Sequence, residues 1–326
     1  MTHTPAPDPA AEPSPVPDCS GPLFVVFNLA SGHGDAQQAR DAIETACARS
    51  GRALKITAVP RPSELPTLAQ QAVAQALRAG GVVVAAGGDG TLNAVAQATL
   101  GSGCAFGVLP QGTFNYFGRS HGIPSDTAQA MQGLLHGRVQ PVPVGLVNER
   151  LFLVNASLGL YPRLLQDREQ WKQQLGRSRV VAFLAGLMSL LRGHRSLNLR
   201  IELDGHSHQV RTPTLFVGNN RLQMEQLLPE RVADIDAGRL AALMLRPVGS
   251  LAMLGLALQG ALGQLGEADA LCHFAFKRLT VGPARRLGAR HIKVATDGEI
   301  IRLRLPLVFQ VSPQPLMLVL PAQAAA

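Results

Sequence analysis

Only four cysteines occur in the 326 residues, Cys19, Cys47, Cys104 and Cys272, and no two are spaced as a pair or as metal ligands. That excludes a disulfide framework and reads as reduced, structural thiols in a cytoplasmic protein. Long apolar runs are missing too. The longest, Val180 to Leu191, is twelve residues between Arg179 and Arg192, whereas crossing a hydrocarbon core takes about 20. Residues 1–22 hold many Pro, Ala and Asp and almost no large apolar side chains. Without a basic n-region and apolar h-region they read as a disordered leader, not a signal peptide. There is no Ser-His-Asp order with a nucleophile elbow. Nine histidines are present, yet His206 and His208, two apart beside a turn, have no third ligand in view and read as surface residues.

What is present is a chain 46% apolar and 16% charged, long enough to bury a large core in two domains. Its formal charge of +8 and pI near 10.0 favour anionic partners. Nucleotides and acidic lipid headgroups fit that sign. Nucleic acid does too, but no RNA- or DNA-binding motif accompanies it.

Val82-Val83-Val84-Ala85-Ala86 reads as a buried strand that stops at Gly87-Gly88-Asp89-Gly90-Thr91-Leu92-Asn93. Leu92, Val95, Ala96 and Leu100 then recur at helical spacing. A strand, a glycine-rich turn and a helix form a phosphate seat, because Gly87, Gly88 and Gly90 carry no Cβ and the helix N-terminus favours anions. Asp89 among phosphates implies an intervening Mg²⁺. The competing reading is an ordinary turn that needs φ > 0. Gly107-Val108-Leu109-Pro110-Gln111-Gly112-Thr113-Phe114-Asn115 repeats the design, and two polar turns at successive strand ends face one crevice of an open parallel sheet.

Around these lie a strand at Leu23–Phe27 ending on Asn28, a helix over 37–49, a strand at Leu54–Val59, a helix over 63–79 and another over 123–136, broken by Pro141-Val142-Pro143. Alternating strands and helices predict a parallel α/β domain over 23–142. From 143 to 326 the texture changes to strands, at Leu151–Asn155, Leu197–Leu203, Val210–Val217 and Leu240–Leu245, with Asp204-Gly205 as a hairpin signal. The second domain reads as mainly antiparallel.

The chain resembles the diacylglycerol kinase catalytic-domain family, which includes bacterial lipid kinases and sphingosine kinases and is related to NAD kinases. Gly87 to Asn93 meet its GGDGTxN pattern and Pro110, Gly112, Thr113 and Asn115 its PxGTxN pattern. Asn28-Leu29-Ala30-Ser31-Gly32 retains part of NPxSG, with Leu29 for the proline, and Asp297-Gly298-Glu299 looks like its DGE. The order agrees over about residues 22 to 320. The resemblance implies an NAD kinase-like first domain and a β-sandwich second domain whose last residues return to the first. It implies ATP and Mg²⁺ as cofactors and a lipid hydroxyl, diacylglycerol-like or sphingoid, as acceptor. Asn28, Ser31, Gly87, Gly88, Asp89, Gly90, Thr91, Asn93, Gly112, Thr113 and Asn115 are then candidates for the nucleotide, and Asp89 also for Mg²⁺. Asp297 and Glu299 become candidate bases, Glu299 ahead for its longer side chain; on local sequence the same segment is a hairpin turn.

Three departures stand out. Where relatives have a glycine run, this chain has Gly218-Asn219-Asn220-Arg221-Leu222-Gln223-Met224-Glu225-Gln226. Where relatives show Asn-Asp-Gly-Leu, which supplies a structural Mg²⁺ in some members, it reads Asp236-Ala237-Gly238-Arg239-Leu240, leaving Asp236 as the candidate ligand. Pro143 stands where an Asp often opens the second domain. A kinase for a soluble acceptor such as NAD, or a nucleotide-binding regulator without turnover, are the alternatives.

Basic clusters bear on membranes. Arg163, Arg168, Lys172, Arg177 and Arg179, with Trp171, precede the Val180–Leu191 run, which reads as a packing helix or an interfacial one. Lys277 to Arg304 contains eight Lys/Arg against Asp297 and Glu299, a solvated face or a peripheral contact with an anionic membrane at its inner face. A homodimer is the expected assembly, if any.

Overall fold

Residues 16–28, 36–112, 114–159, 196–247, 249, 270–284 and 291–322 are described by a computed structural model. Ser31, Thr113, the Val180–Leu191 run with its preceding cations, and most of the leader lie outside them. No helix among the described residues is long and apolar enough to cross a membrane.

The chain begins by alternating strand and helix: β1 (Leu23–Asn28), α1 (Ala36–Ser50), β2 (Leu54–Val59), α2 (Leu65–Ala79), β3 (Val82–Gly87), α3 (Asp89–Thr99), β4 (Ala105–Pro110), α4 (Tyr116–Ser120), α5 (Thr127–Leu135) and β5 (Arg138–Val142). α2 buries Leu65, Ala69, Ala72, Val73 and Ala76, a stripe of helical period, and ends on Gly80 at φ 59, the left-handed cap that glycine adopts without strain. The sheet order is β2-β1-β3-β4-β18-β5, with the last strand, β18 (Leu316–Leu320), between β4 and β5. β18 runs parallel to β4 and antiparallel to β5. Every residue of β3 and β4 is buried, as expected of central strands in a parallel sheet covered on both faces. Phe27, Ile43, Leu92 and Phe106 fill the layers between sheet and helices, each stabilising by roughly 1.5–3 kcal/mol.

Two boundaries differ from the sequence reading. The helix expected over 123–136 starts at Thr127, because Pro124 disfavours helix at Ile123 and Asp126 caps the first turn through Gln129 N–H. Pro141 does not break structure. It sits in β5, at the sheet edge opposite Met317, where a residue without an N–H is tolerated.

The second unit packs two six-stranded antiparallel sheets. One runs β10-β9-β14-β17-β6-β7 and the other β13-β12-β11-β8-β15-β16. In chain order these are β6 (Gly145–Val147), β7 (Arg150–Phe152), β8 (Asn155–Gly159), β9 (Leu197–Leu203), β10 (His206–Thr212), β11 (Thr214–Gly218), β12 (Leu240–Leu245), β13 (Leu271–Phe276), β14 (Arg278–Pro283), β15 (His291–Thr296), β16 (Glu299–Arg304) and β17 (Leu307–Val311). Leu158, Val217, Val294, Leu279 and Phe309 meet between them in a buried core. The expected strand over 210–217 divides at Pro213, and the one over 151–155 divides at Leu153-Val154. Asp204-Gly205, at φ 50 and 78, joins β9 to β10 as the two-residue turn that suits a twisted hairpin. Asp297-Gly298, at φ 47 and 88, joins β15 to β16 the same way.

Candidate active site

β3 delivers the chain to Gly87, and α3 starts two residues later with Gly88 as its cap. Gly87, Gly88 and Gly90 are all absent from the left-handed region, so the ordinary-turn reading does not explain them. Close approach does. A Cβ on Gly87 would lie 2.6 Å from Thr91 Oγ1, one on Gly112 2.9 Å from Asn115 Oδ1 and 3.1 Å from Gly88 Cα, and one on Gly90 3.0 Å from Glu299 Oε1. The two glycine loops therefore touch, and Gln111 N–H donates to Gly87 C=O at 2.9 Å between them. Thr91 and Leu92 N–H both bond Gly88 C=O, leaving the amides of Asp89 and Gly90 at the very start of α3. A glycine cap puts no side chain over them, as an anion seat requires.

Three carboxylates gather at this end of the molecule in three different states. Asp297 Oδ2 accepts from Asn93 Nδ2 at 2.7 Å and Leu153 N–H at 2.7 Å. Its Oδ1 accepts from Val154 N–H at 2.9 Å and Asn155 N–H at 3.0 Å. Burial pushes its pKa up and these bonds oppose the shift. Since all four partners are donors, an added proton would have no acceptor, and the carboxylate is ionised. Asp89 is the opposite case: its Oδ1 is buried with no hydrogen-bond partner. Burial, and then the charge of Asp297, raise its pKa above the ordinary 3.8. Glu299 is exposed at the start of β16, its Oε1 held against Gly90 at the N-terminus of α3.

Asp297, expected as a candidate base, is enclosed by these donors. All its lone pairs are filled by donors, so it holds no acceptor site for a proton from a substrate. It gathers the Leu153–Asn155 backbone and Asn93 of α3 instead. Asn93, expected at the nucleotide, donates its amide to Asp297 and, at 3.1 Å, to Leu151 C=O, and is turned to the second unit. Asn28 Nδ2 donates to Thr91 Oγ1 at 2.9 Å, fixing the first turn of α3 from β1, and Thr91 is buried. Asn115, at φ 47, accepts from Gly112 N–H at 3.0 Å and shapes the second loop. Asp236, the expected accessory metal ligand, stands among cations. It is half-exposed and lies 3.5 Å from the Arg221 guanidinium. The nearby Asp234 is clamped between Arg231 and Arg239, so two cations already occupy the acids there. Among the described residues no cluster of three or more His, Cys, Asp or Glu is placed to hold a metal. Asp89 fits the other mode, in which Mg²⁺ takes one or two carboxylates and completes its shell with phosphate oxygens and water.

Sequence reasoning missed Gln97, whose Oε1 accepts from Leu151 N–H at 2.8 Å and whose Nε2 donates to Glu149 C=O at 3.3 Å. The signal was the spacing: Asn93 and Gln97, one turn apart on α3, face the same partner strand. Gln111 was also missed; its buried Nε2 has no partner beside the two loops.

Residues 22–147 match the family model of the diacylglycerol kinase catalytic domain. The first unit is thus similar to that domain. It is 32% identical over 179 residues to the diacylglycerol kinases of Staphylococcus aureus strains JH9 and Newman, an alignment covering 53% of this chain and 55% of theirs. The chain so spans about half the length of the curated relatives it matches. A diacylglycerol kinase structure from Bacillus anthracis superposes with a TM-score of 0.65 at 18% identity, covering 94% of this chain and 98% of that one. A second Bacillus anthracis chain superposes with a TM-score of 0.70 at 19% identity, over 93% and 98%. Both carry the fold across the two units.

Proposed function

We propose that the protein is an ATP-dependent lipid kinase that moves the γ-phosphoryl group onto the hydroxyl of a diacylglycerol-like or sphingoid lipid. The observation that supports this best is the meeting of Glu299, from the second unit, with Gly90 in the glycine loop of the first. It sets an exposed carboxylate beside an anion seat. Glu299 takes the proton of the lipid hydroxyl as the new O–P bond forms, and the bond to the β-phosphate oxygen breaks with ADP leaving. Gly87, Gly88 and Gly90 let the phosphates approach the backbone amides at the start of α3. Asp89 would hold Mg²⁺, which supplies charge neutralisation on the phosphates. Asp297 positions: it fixes the turn that carries Glu299 relative to α3. Phosphoryl transfer of this kind asks the protein for placement and electrostatics more than for covalent chemistry.

The test is transfer of label from γ-labelled ATP to diacylglycerol, sphingosine, a total lipid extract and NAD, side by side with Mg²⁺ present. Label in a lipid product is the expected result. Label in NAD alone, or in no acceptor while the nucleotide still binds, overturns the reading.

A further inference from the structure

Where relatives have a glycine run, this chain has amide side chains that reach far in sequence. Asn220 is 2% exposed. Its Nδ2 donates to Tyr116 C=O at 3.1 Å and to Ser120 Oγ at 2.8 Å, both in α4 of the first unit. Its Oδ1 accepts from Gln223 N–H at 3.1 Å and so caps the helix Arg221–Leu227. Gln223 Oε1 in turn accepts from Asn155 Nδ2 at 3.0 Å. Asn155 is joined to Asp297 twice, through its own N–H to Oδ1 at 3.0 Å and through its C=O, which accepts from Asp297 N–H at 3.0 Å. An unbroken line of hydrogen bonds therefore runs from α4 through Asn220, Gln223 and Asn155 to the turn that presents Glu299.

Capping alone does not explain this residue choice. Asp126 caps α5 with a carboxylate from an exposed position, and Ser or Asp serve as well as Asn in that role. What asparagine adds is a pair of N–H donors, and here both cross to the other unit. α4 begins directly after Asn115 of the second glycine loop, and its Gly118 packs so closely on the end of β4 that a Cβ there would lie 3.0 Å from Pro110 Cγ. Whatever holds α4 thus holds that loop. The Asp297 turn is then tied to both loops, to the helix behind the first directly through Asn93 and to the helix behind the second by way of Asn220. One attachment leaves a rotation free between two bodies, and a second removes it.

We propose that Asn220 is a positioning residue for the transfer: with Gln223 and Asn155 it clasps α4 to the turn and sets the second glycine loop in register with Glu299. The clasp rests on the kinase reading for the role of Glu299. Asn220→Ser isolates it, because serine caps the helix equally well but is too short to reach α4. The expected kcat for label transfer from ATP to lipid is about 10- to 100-fold lower, as a displacement on the order of 1 Å produces. Mg²⁺-ATP affinity by calorimetry should be kept, and amide exchange in residues 116–123 should quicken with global unfolding little changed. In a Glu299→Gln background the same substitution should cost less than about 3-fold, since misplacing a base already removed costs nothing. Gln223→Glu keeps the acceptor for Asn155 and should match wild type, whereas Gln223→Leu breaks the line and should repeat part of the loss. Equal fractional losses of kcat in the two backgrounds would overturn the proposal, as would weaker nucleotide binding with kcat kept, or a Gln223→Leu variant as active as wild type. Should Asn220→Ser fail to fold, the two Gln223 variants, measured in both backgrounds, decide by the same criteria. A wild type that transfers label to no acceptor sinks the kinase reading. The clasp then stands or falls with amide exchange in 116–123, and unchanged exchange in Asn220→Ser overturns it.

Discussion

The molecule contains two turns that set glycine beside carboxylate at the same cleft, and they solve opposite problems. At Gly88-Asp89-Gly90 the glycines make room: Gly90 has Glu299 3.0 Å from where its Cβ would be, and Asp89 is left with a buried oxygen lacking any partner. At Asp297-Gly298-Glu299 the glycine serves backbone geometry at φ 88, and Asp297 is saturated by four N–H donors. A saturated carboxylate is architecture, because removing it leaves donors unpaired. A starved carboxylate costs the fold something and is retained for what binds it. Glu299 is neither, being exposed and free of deep burial, as the proton acceptor proposed above needs to be.

The contrast breaks most visibly at Asp297. Asp297→Asn keeps the shape and tolerates φ 47, so the backbone is not strained. It removes the charge and turns a donor amide toward other donors. The expected loss is on the order of 3 kcal/mol of unfolding free energy, with activity lost alongside because Glu299 is no longer held at α3. Asp204→Asn is the built-in control. It sits in the sister turn at φ 50 but is exposed, and should change stability by less than about 0.5 kcal/mol. Denaturant titration of the two variants decides the matter, and equal stabilities would show that the four bonds contribute nothing beyond the turn.

Glu299→Gln sharpens the comparison from the other side. Its side chain is exposed, so stability should be unchanged, while kcat falls about 10²- to 10⁴-fold with ATP affinity kept. Steady-state kinetics with Mg²⁺-ATP and lipid check this against thermal unfolding of the same preparation. Wild-type kcat would remove Glu299 from the chemistry, and a parallel loss of folding would make it a second structural carboxylate.

How much of this was legible follows from the range of the forces involved. The strands Leu54–Val59, Leu197–Leu203 and Leu240–Leu245 were readable to the residue, because β-branched and apolar runs bounded by turn signals fix them locally. The glycine loops were readable as sites from residue type, although the reason for the glycines, contact across loops and not φ, was not. The bend at Leu153-Val154 was invisible. It exists because those amides turn to a carboxylate 144 and 143 residues away. For the same reason Asp297 and Glu299 looked like twin bases on one strand face. Only the long-range pairing of β15 with β8 shows that one is enclosed and the other open. Asn93 sits in the motif yet turns away from the loop, a choice made by Leu151 and Asp297 and by nothing nearby in sequence.

The smallest effect expected is the most diagnostic of the starved carboxylate. Burial first, and Asp297 second, raise the folded pKa of Asp89 above its ordinary 3.8. The folded state therefore holds that proton more tightly than the unfolded chain does. Through the window from 3.8 up to the raised value, stability falls as pH rises, and above the window the penalty is fully present. Asp89→Asn removes the charge, so at neutral pH it should unfold at a temperature higher than wild type by on the order of 2 °C, as about 1 kcal/mol gives in a protein of this size. Its advantage should shrink as pH is lowered through the window, where wild-type Asp89 takes up its own proton. Mg²⁺ with a non-hydrolysable ATP analogue should raise the wild-type unfolding temperature more than that of Asp89→Asn, reversing their order while the variant fails to turn over. A variant less stable than wild type at neutral pH, with no pH dependence in the difference, would mean that Asp89 has a partner in the fold and that the cation is held elsewhere.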